Sequence, residues 1–232
     1  MTDSARARIF AAVRRGSAGA AADKIARELA SFGRAPSASL PATDICIAFL
    51  VNVLKNQGTI GCVPNRSGAV KAVAEYLYAH FRSLRLVAGN DPHLAAMPWR
   101  EAGVLPRFGT VEAGEPVTLS YALLGVAEIG GIVTLTGKAN PSANNLLSEH
   151  HIVLVDSSRL VADMEGAWDA IRRETDKSGR PRGINFIAGP SSTADIEGKI
   201  VYGAHGPRHW HVILMGEQPE NALETARELA GC

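Results

Sequence analysis

The chain has few cysteines, and their spacing leaves no framework for disulfides or metal clusters. Its 232 residues include three cysteines, Cys46, Cys62 and Cys232, which are widely separated and contain no CxxC pair. A zinc ribbon or the usual cysteine-ligated iron–sulfur cluster needs closely spaced cysteines, so we expect neither within this chain. Because unpaired thiols are typical of reducing compartments, the cysteines favour a cytoplasmic protein.

Long apolar runs and blocks of like charge are absent as well. No run approaches the roughly 18 apolar residues of a membrane helix, and the Arg-rich segment 1–15 lacks the apolar region of a signal peptide. That segment could pass for a transit peptide, but Ile9, Phe10 and Val13 recur at helical spacing and favour an amphipathic first helix. The formal net charge is +1, so we expect neither a membrane span nor a nucleic-acid partner.

The common cofactor and nucleophile motifs are missing too. The glycines of 58–61 and 130–131 form neither a GxGxxG fingerprint nor a Walker A loop, so no motif predicts NAD or ATP. The chain also lacks a Gly-x-Ser-x-Gly elbow and a catalytic Cys/His pattern. We therefore expect no cofactor and no metal in this chain.

Short apolar runs alternate with helical patterns along most of the chain, and 46% of the residues are hydrophobic. The runs predict strands at 59–63, 84–88, 104–111, 117–120, 132–136, 152–155, 184–188 and 212–215. The patterns between them predict helices at 3–16, 19–32, 43–57, 68–80, 121–128, 146–150, 156–174 and 221–230. This alternation predicts a three-layer, Rossmann-like α/β sandwich with a mostly parallel sheet. Small and turn-forming residues at 33–41 predict a helical arm, 1–40, ahead of the α/β domain, 41–232.

The stretch 183–215 carries the most distinctive pattern. The apolar run Ile184–Ala188 is stopped by Gly189 and Pro190, and hydroxyl residues and then carboxylates follow. Such an order predicts a helix that starts near Thr193, whose free backbone N–H groups could bind a phosphate or carboxylate. A plain capped turn is the alternative. The candidate anion-binding residues are Gly189, Pro190, Ser191, Ser192, Thr193, Asp195, His205 and Gly206.

The segments Gly189–Glu197 and Gly203–Pro207, read together, resemble the C-terminal signature of the lactate-utilisation protein C family, the LUD domain. The resemblance covers most of the chain. It implies a fold similar to that of glucosamine-phosphate and ribose-phosphate isomerases and CoA transferases. Where the family often has a basic residue between the serine and the threonine, this chain has Ser192.

The resemblance also implies a role in oxidising L-lactate to pyruvate, together with an iron–sulfur protein and a cysteine-rich protein. This chain would be the cofactor-poor member, which binds a small anion or supports assembly and electron transfer. Two alternatives stay open. The chain could be a free-standing enzyme acting on a phosphosugar or acyl-CoA, or it could be a ligand-sensing module.

Glu128 is the candidate catalytic residue, because a carboxylate between a helical stretch and a strand could act as nucleophile or general base. Its surroundings resemble the family's Ala-Glu-Thr-Gly-Thr segment, but Ile129 and Gly131 replace both threonines. The alternative is a structural glutamate that binds a backbone N–H at a helix end.

The histidines near the C-terminus form the last candidate group. His209 and His211 share one face of a predicted strand, and His205 could join them in a metal site. No recognised zinc motif is present, so His205 is instead expected to contact a ligand or stabilise its turn.

Overall fold

The computed structural model describes residues 4–16, 19, 21–33, 36, 39–196 and 199–232, with the backbone alone for 194–196. The chain divides into two compact units, Met1–Ser37 and Ala38–Cys232. The first contains α1 (Ala5–Gly16) and α2 (Ala22–Ser31), so the helices predicted at 3–16 and 19–32 are confirmed within the described residues. The boundary predicted between residues 40 and 41 stays a prediction. None of the described helices combines the length and apolar character needed to cross a membrane.

The second unit alternates strands and helices as the sequence predicts. In chain order its elements are α3 (Ile45–Lys55), β1 (Thr59–Val63), α4 (Arg66–Phe81), β2 (Arg85–Ala88), α5 (Pro92–Ala95), β3 (Leu105–Phe108), β4 (Val117–Tyr121), β5 (Leu124–Val126), β6 (Gly131–Thr136), α6 (Ala143–Leu146), β7 (His150–Asp156), β8 (Leu160–Val161), α7 (Met164–Ser178), β9 (Gly183–Ile187), β10 (Ser192–Ile196), β11 (Lys199–Tyr202), β12 (His209–Met215) and α8 (Ala222–Ala230). Single 3-10 turns lie at Trp99–Ala102 and Ser157–Arg159.

The main sheet has six strands in the order β1-β12-β7-β4-β2-β3, and every neighbouring pair is parallel. Both faces of the central strands are buried, as is usual when helices cover a parallel sheet. On β12, Val212 and Leu214 pack with α3 and α8, whereas Ile213 and Met215 pack with α4 on the opposite face. The predicted α/β sandwich with a mostly parallel sheet is confirmed.

A second sheet, in the order β8-β5-β6-β9, packs beyond α3 and was not predicted. The helix predicted at 121–128 is wrong, because Leu124 and Val126 lie in β5 and pack against α7. The run 184–188 is β9, which pairs antiparallel with β6 and so is not a strand of the parallel sheet. Short apolar runs do not distinguish a strand from a buried helical turn, which explains the first error.

The helix predicted to start near Thr193 is also wrong. Residues 192–196 form β10, which pairs antiparallel with β11 in a separate hairpin, with Ser192 opposite Tyr202 and Thr193 opposite Val201. The strand-favouring residues of β11 explain this outcome, because they offer the preceding segment a backbone ladder. Glu197 lies outside the described residues.

Several element boundaries shift for local reasons. Asp44, and not Thr43, caps α3 by accepting from the backbone N–H groups of Cys46 and Ile47 at 2.8 and 3.1 Å. The helix predicted at 156–174 is α7, which starts later because Asp163 caps it through the Gly166 N–H at 2.7 Å. The short helix predicted at 146–150 is α6, which ends where it was expected to begin.

The second sheet is held against α3 by a close backbone approach. Gly130 has φ +55° in the β5–β6 turn, and a Cβ there would lie 2.2 Å from the Asn52 carbonyl carbon. The Asn52 side chain donates to the carbonyl oxygens of Ala127 at 2.8 Å and Glu128 at 3.2 Å, and Asn56 donates to that of Ile129 at 2.7 Å. The hairpin can dock this closely only because residue 130 has no side chain.

Replacing Gly130 by alanine is expected to lower the free energy of unfolding by about 3 kcal/mol or more, through the backbone clash and the left-handed conformation. Gly137→Ala is the matched control, because a Cβ at Gly137 meets nothing within 4 Å. Urea unfolding of both variants measures the difference. Equal stability of the two variants would contradict the close docking of the hairpin.

A polar network runs through the core between the two sheets. His151 is fully buried and its Nε2 lies 3.0 Å from Ser120 Oγ, which donates to Asn145 Oδ1 at 2.7 Å. Asn145 Nδ2 donates to Thr134 Oγ1 at 3.0 Å. Burial lowers the pKa of His151 to about 3, so the imidazole is neutral in the fold at all ordinary pH values.

This burial makes stability depend on pH. An unfolded histidine takes up a proton as the pH falls through about 6.5, whereas His151 in the fold does so only near pH 3. The unfolded chain therefore binds the extra proton between these values, and stability is lost over that window by about 1.4 kcal/mol per pH unit. Between pH 7 and pH 5, the protein is expected to lose about 2 kcal/mol more than His151→Gln does. Urea unfolding at both pH values tests this, and parallel pH profiles would contradict it.

Candidate functional site

The two halves of the signature stretch meet in space. Ser191 N–H donates to the Pro207 carbonyl at 2.8 Å, and Gly203 N–H donates to the Ser191 carbonyl at 2.9 Å. A Cβ at Gly206 would lie 3.1 Å from the Ser191 Cβ. The backbone N–H of Ser191 is thus already used, and no helix follows to supply further free N–H groups. The helix-terminus argument for an anion site in this loop is therefore lost.

The signature loop lies at the amino edge of the main sheet, where β1 and β12 begin. Gly189, at φ +93°, packs so closely that a Cβ would lie 2.4 Å from the Asn56 carbonyl oxygen. The segment Gly203–Pro207 leads directly into β12. Open α/β sheets usually bind ligands at the carboxyl ends of their parallel strands, which is the opposite edge of this sheet.

Four of the predicted anion-binding residues line two separate shallow depressions. Pro190 and Ser192 line one of about 260 Å³ beside Lys55. His205 and Gly206 line another of about 450 Å³, in which Glu149 and Arg208 also take part. The side chain of Asp195 lies outside the described residues. The ligand-binding role of the whole set stays a prediction.

The Glu128 carboxylate accepts a hydrogen bond from within the protein. Its Oε2 accepts from the backbone N–H of Met164 at 2.9 Å, at the first residue of α7, and its own N–H donates to the Ala162 carbonyl at 2.9 Å. The structural alternative proposed from the sequence therefore has direct contacts in its favour. The catalytic role of Glu128 stays a prediction.

The carboxyl edge of the main sheet holds a polar cleft of about 380 Å³ that the sequence analysis missed. Polar side chains reach it from the segments that follow β1, β2, β4 and β7, as expected where parallel strands end together. Its polar and charged lining residues are Arg66, Asp91, His93, Tyr121, Asn140, Asp156, Arg159 and Glu174. A signal was present in the sequence, because Arg66, Tyr121 and Asp156 each end or closely follow an apolar strand.

Two carboxylates of the cleft are already satisfied by local hydrogen bonds. Asp91 Oδ1 accepts from the His93 N–H at 2.8 Å and lies 3.0 Å from His93 Nδ1. Asp156 Oδ1 accepts from the N–H and hydroxyl of Ser158 at 2.9 and 2.6 Å. The exposed Arg66 and Arg159 form no ion pair with any other residue that the structure describes. Their guanidinium groups are thus unpaired positive charges of the cleft, to which Glu174 adds a carboxylate.

Tyr121 lines the same cleft. Its ring stacks on that of His93, with centroids 4.4 Å apart and an angle of 8° between the planes. Burial raises the pKa of Tyr121, and Asp156 adds to the rise while Arg66 and Arg159 oppose it. The hydroxyl therefore keeps its proton at neutral pH and can donate a hydrogen bond to a ligand oxygen.

A cluster of aromatic and histidine rings occupies the opposite, amino edge of the main sheet. His150 Nδ1 lies 2.9 Å from the Tyr76 hydroxyl, and its ring stacks on that of His209 with centroids 4.2 Å apart. His211 stacks on Tyr76 and its Nδ1 lies 2.8 Å from Thr59 Oγ1. Burial, followed by the charge of His80, lowers the pKa of His211 to about 4. The set His205, His209 and His211 considered from the sequence is thus not the set that the fold assembles here.

A model of the LUD domain family matches residues 116–215, from the residue before β4 to the end of β12. Residues 116–215 are therefore similar to the LUD domain. The family resemblance drawn from the signature is confirmed.

Two similar proteins are both called Lactate utilization protein C. The protein from Shouchella clausii is 36% identical over 39% of this chain and 40% of its own length. The protein from Exiguobacterium sp. is 27% identical over 60% of this chain and 64% of its own length. The chain thus spans between two fifths and two thirds of the length of these relatives.

One solved structure is similar in fold. The crystal structure of a DUF162 family protein from Deinococcus radiodurans superposes with a TM-score of 0.53, over 74% of this chain and 96% of that one. Its sequence identity is 17%, so this likeness concerns the fold alone.

Glu128→Ala is expected to lower the free energy of unfolding by about 1 kcal/mol, because the first turn of α7 loses a side-chain hydrogen bond. Glu128→Gln keeps an acceptor oxygen and is expected to lose less than half as much. Thermal unfolding of the two variants makes the comparison. An alanine variant as stable as the parent chain would rule out the capping role.

Proposed function

We propose that this LUD-domain chain takes part in lactate utilisation and binds a small carboxylate, lactate or pyruvate, in the carboxyl-edge cleft. One observation carries the proposal. The cleft presents two unpaired arginines in a chain whose LUD segment is similar to proteins called Lactate utilization protein C. Arginine suits this ligand because its planar guanidinium can donate two parallel hydrogen bonds to a carboxylate.

Each of these residues has a separate role in the proposed binding. Arg66 is the first residue of α4, so the positive end of that 16-residue helix also favours an anion here. Arg159 lines the same cleft from the segment after β7, and Tyr121 also lines it. In the proposed complex the guanidinium groups hold the carboxylate, and the Tyr121 hydroxyl donates to the C2 oxygen of lactate or pyruvate.

Oxidation of lactate to pyruvate releases two electrons and two protons, which need acceptors. We propose that a partner protein with iron–sulfur clusters accepts the electrons, and that a cysteine-rich protein completes the assembly. Two of the three cysteines support that division, because Cys46 is buried and burial raises the pKa of the Cys62 thiol to about 11. Neither thiol is prepared to act as a metal ligand or nucleophile at neutral pH.

Titration of the purified chain with L-lactate and with pyruvate tests the ligand. Arg66→Ala and Arg159→Ala are each expected to weaken binding by about 10-fold or more, since each removes a charge-assisted hydrogen bond. Arg85→Ala is the matched control, because Arg85 is exposed and lies at the opposite edge of the same sheet. Failure of both ligands to saturate, or equal affinity in all three variants, would overturn the ligand assignment.

A separate experiment tests the partners. The tagged chain is isolated from lactate-grown native cells and assayed for lactate-dependent dye reduction. Co-purification of an iron–sulfur protein together with this activity is the expected result. A solitary chain that still binds lactate would support the ligand assignment and contradict the proposed assembly. That result would favour a ligand-sensing module.

A further inference from the structure

The amino ends of β7 and β12 bring a glutamate and two histidines together. His150 and His209 are the first residues of these neighbouring strands and are paired in register. Glu149 directly precedes β7, and its carbonyl oxygen accepts from the N–H groups of Arg208 at 2.9 Å and His209 at 3.0 Å. Backbone hydrogen bonds alone therefore fix the relative positions of the three residues.

The side chains then converge. One ligand atom from each of Glu149, His150 and His209 lies within 4.8 Å of the other two. We propose that these three residues form a binding site for a divalent transition metal, with Zn²⁺ as the preferred ion. This amino-edge site lies at the end of the sheet opposite the carboxyl-edge cleft, so the proposal is independent of the carboxylate ligand.

The distances suit a small metal ion. Zinc binds histidine nitrogen and carboxylate oxygen at about 2.0 to 2.2 Å, which places ligand atoms about 3.4 Å apart in a tetrahedron. Glu149 and His209 are exposed, whereas His150 is buried. Rotation about their side-chain torsions can move the ligand atoms of the two exposed residues by the roughly 1 Å that binding an ion requires. The buried His150 keeps its position.

Contacts around His150 prepare it for this role. The Tyr76 hydroxyl lies 2.9 Å from His150 Nδ1, and the Phe81 ring packs edge-on with its centroid 4.8 Å away. When Nδ1–H donates to the tyrosine oxygen, Nε2 carries the lone pair that a metal needs. A hydrogen-bond partner on the second ring nitrogen is a regular feature of metal-binding histidines, since it fixes the ring and its tautomer.

The chemistry of the three side chains suits the same ion. The Glu149 carboxylate contributes a negative charge, which completes a His₂Glu set. Such a set leaves a fourth position open to water or a ligand atom.

The experiment uses the full chain with any affinity tag removed and metal stripped by EDTA. Calorimetric titration with ZnCl₂ is expected to show one site, and Co²⁺ is expected to give the visible absorption of a four-coordinate ion. His209→Ala and Glu149→Gln change exposed side chains, so both variants are expected to fold. Each is expected to weaken Zn²⁺ binding by more than about 100-fold, and Tyr76→Phe by about 10-fold through the lost contact to His150.

Two control variants separate this site from others. His93→Ala removes a histidine of the carboxyl-edge cleft, and His205→Ala removes the nearby histidine of the Gly203–Pro207 turn. Both are expected to keep the parental affinity and stoichiometry. Unchanged Zn²⁺ binding in His209→Ala and Glu149→Gln, or no binding by the parent chain below millimolar concentration, would overturn the proposal.

Discussion

The parallel pairing of β7 with β12 is the constraint that determines which side chains meet at the amino and carboxyl edges of the main sheet. Seven residue pairs stay in register from His150 opposite His209 to Asp156 opposite Met215. The apolar residues between those ends are buried on both faces, so a slip by one residue would turn each of them towards the wrong layer. The register therefore fixes which polar side chains emerge together at the two ends.

Two chemically different surfaces result from that one register. At the carboxyl edge, Asp156 ends β7 beside Tyr121 of β4, and the neighbouring segments add two unpaired arginines. At the amino edge, His150 and His209 stand side by side with Glu149. We propose that the first surface binds a small anion, because both arginines are unpaired and two of its three carboxylates, Asp91 and Asp156, accept local hydrogen bonds. The second surface offers nitrogen ligands from two histidines and an oxygen ligand from Glu149, and none of these three residues is a lysine or arginine.

The second sheet depends on a different contact, the close approach of glycine turns to the C-terminal end of α3. Gly130 and Gly189 both lie where a Cβ would meet the backbone of residues 52–56. Asn52 and Asn56 satisfy carbonyl groups of the β5–β6 turn at the same place. Glu128 sits within that turn and caps α7, so the residue first considered for catalysis links the hairpin to the outer helix.

Much of the parallel sheet could be predicted from the sequence, because buried strands such as 59–63 and 117–121 read as apolar runs between turn residues. The segments 121–128 and 192–196 could not, since their local patterns suit a helix while tertiary pairing makes them strands. The cleft escaped prediction for another reason. Arg66, Tyr121 and Arg159 are far apart in sequence and ordinary in type, and only the common ending of parallel strands brings them together.

The histidine cluster could not be predicted from the sequence either. The pairing of His150 with His209 needs the β7–β12 register, and Tyr76 reaches them from α4, over seventy positions earlier in the chain. Spacing along the sequence drew attention to His205 and His211 instead. A local motif could not have indicated the set that the fold assembles.

A crystal structure of the chain grown with pyruvate tests the central claim most directly, because it shows which surface holds the ligand. The account predicts a carboxylate between Arg66 and Arg159, with the keto oxygen within hydrogen-bond distance of the Tyr121 hydroxyl. Pyruvate bound instead at Ser191–Thr193 or His205, with the carboxyl-edge cleft empty, would contradict it.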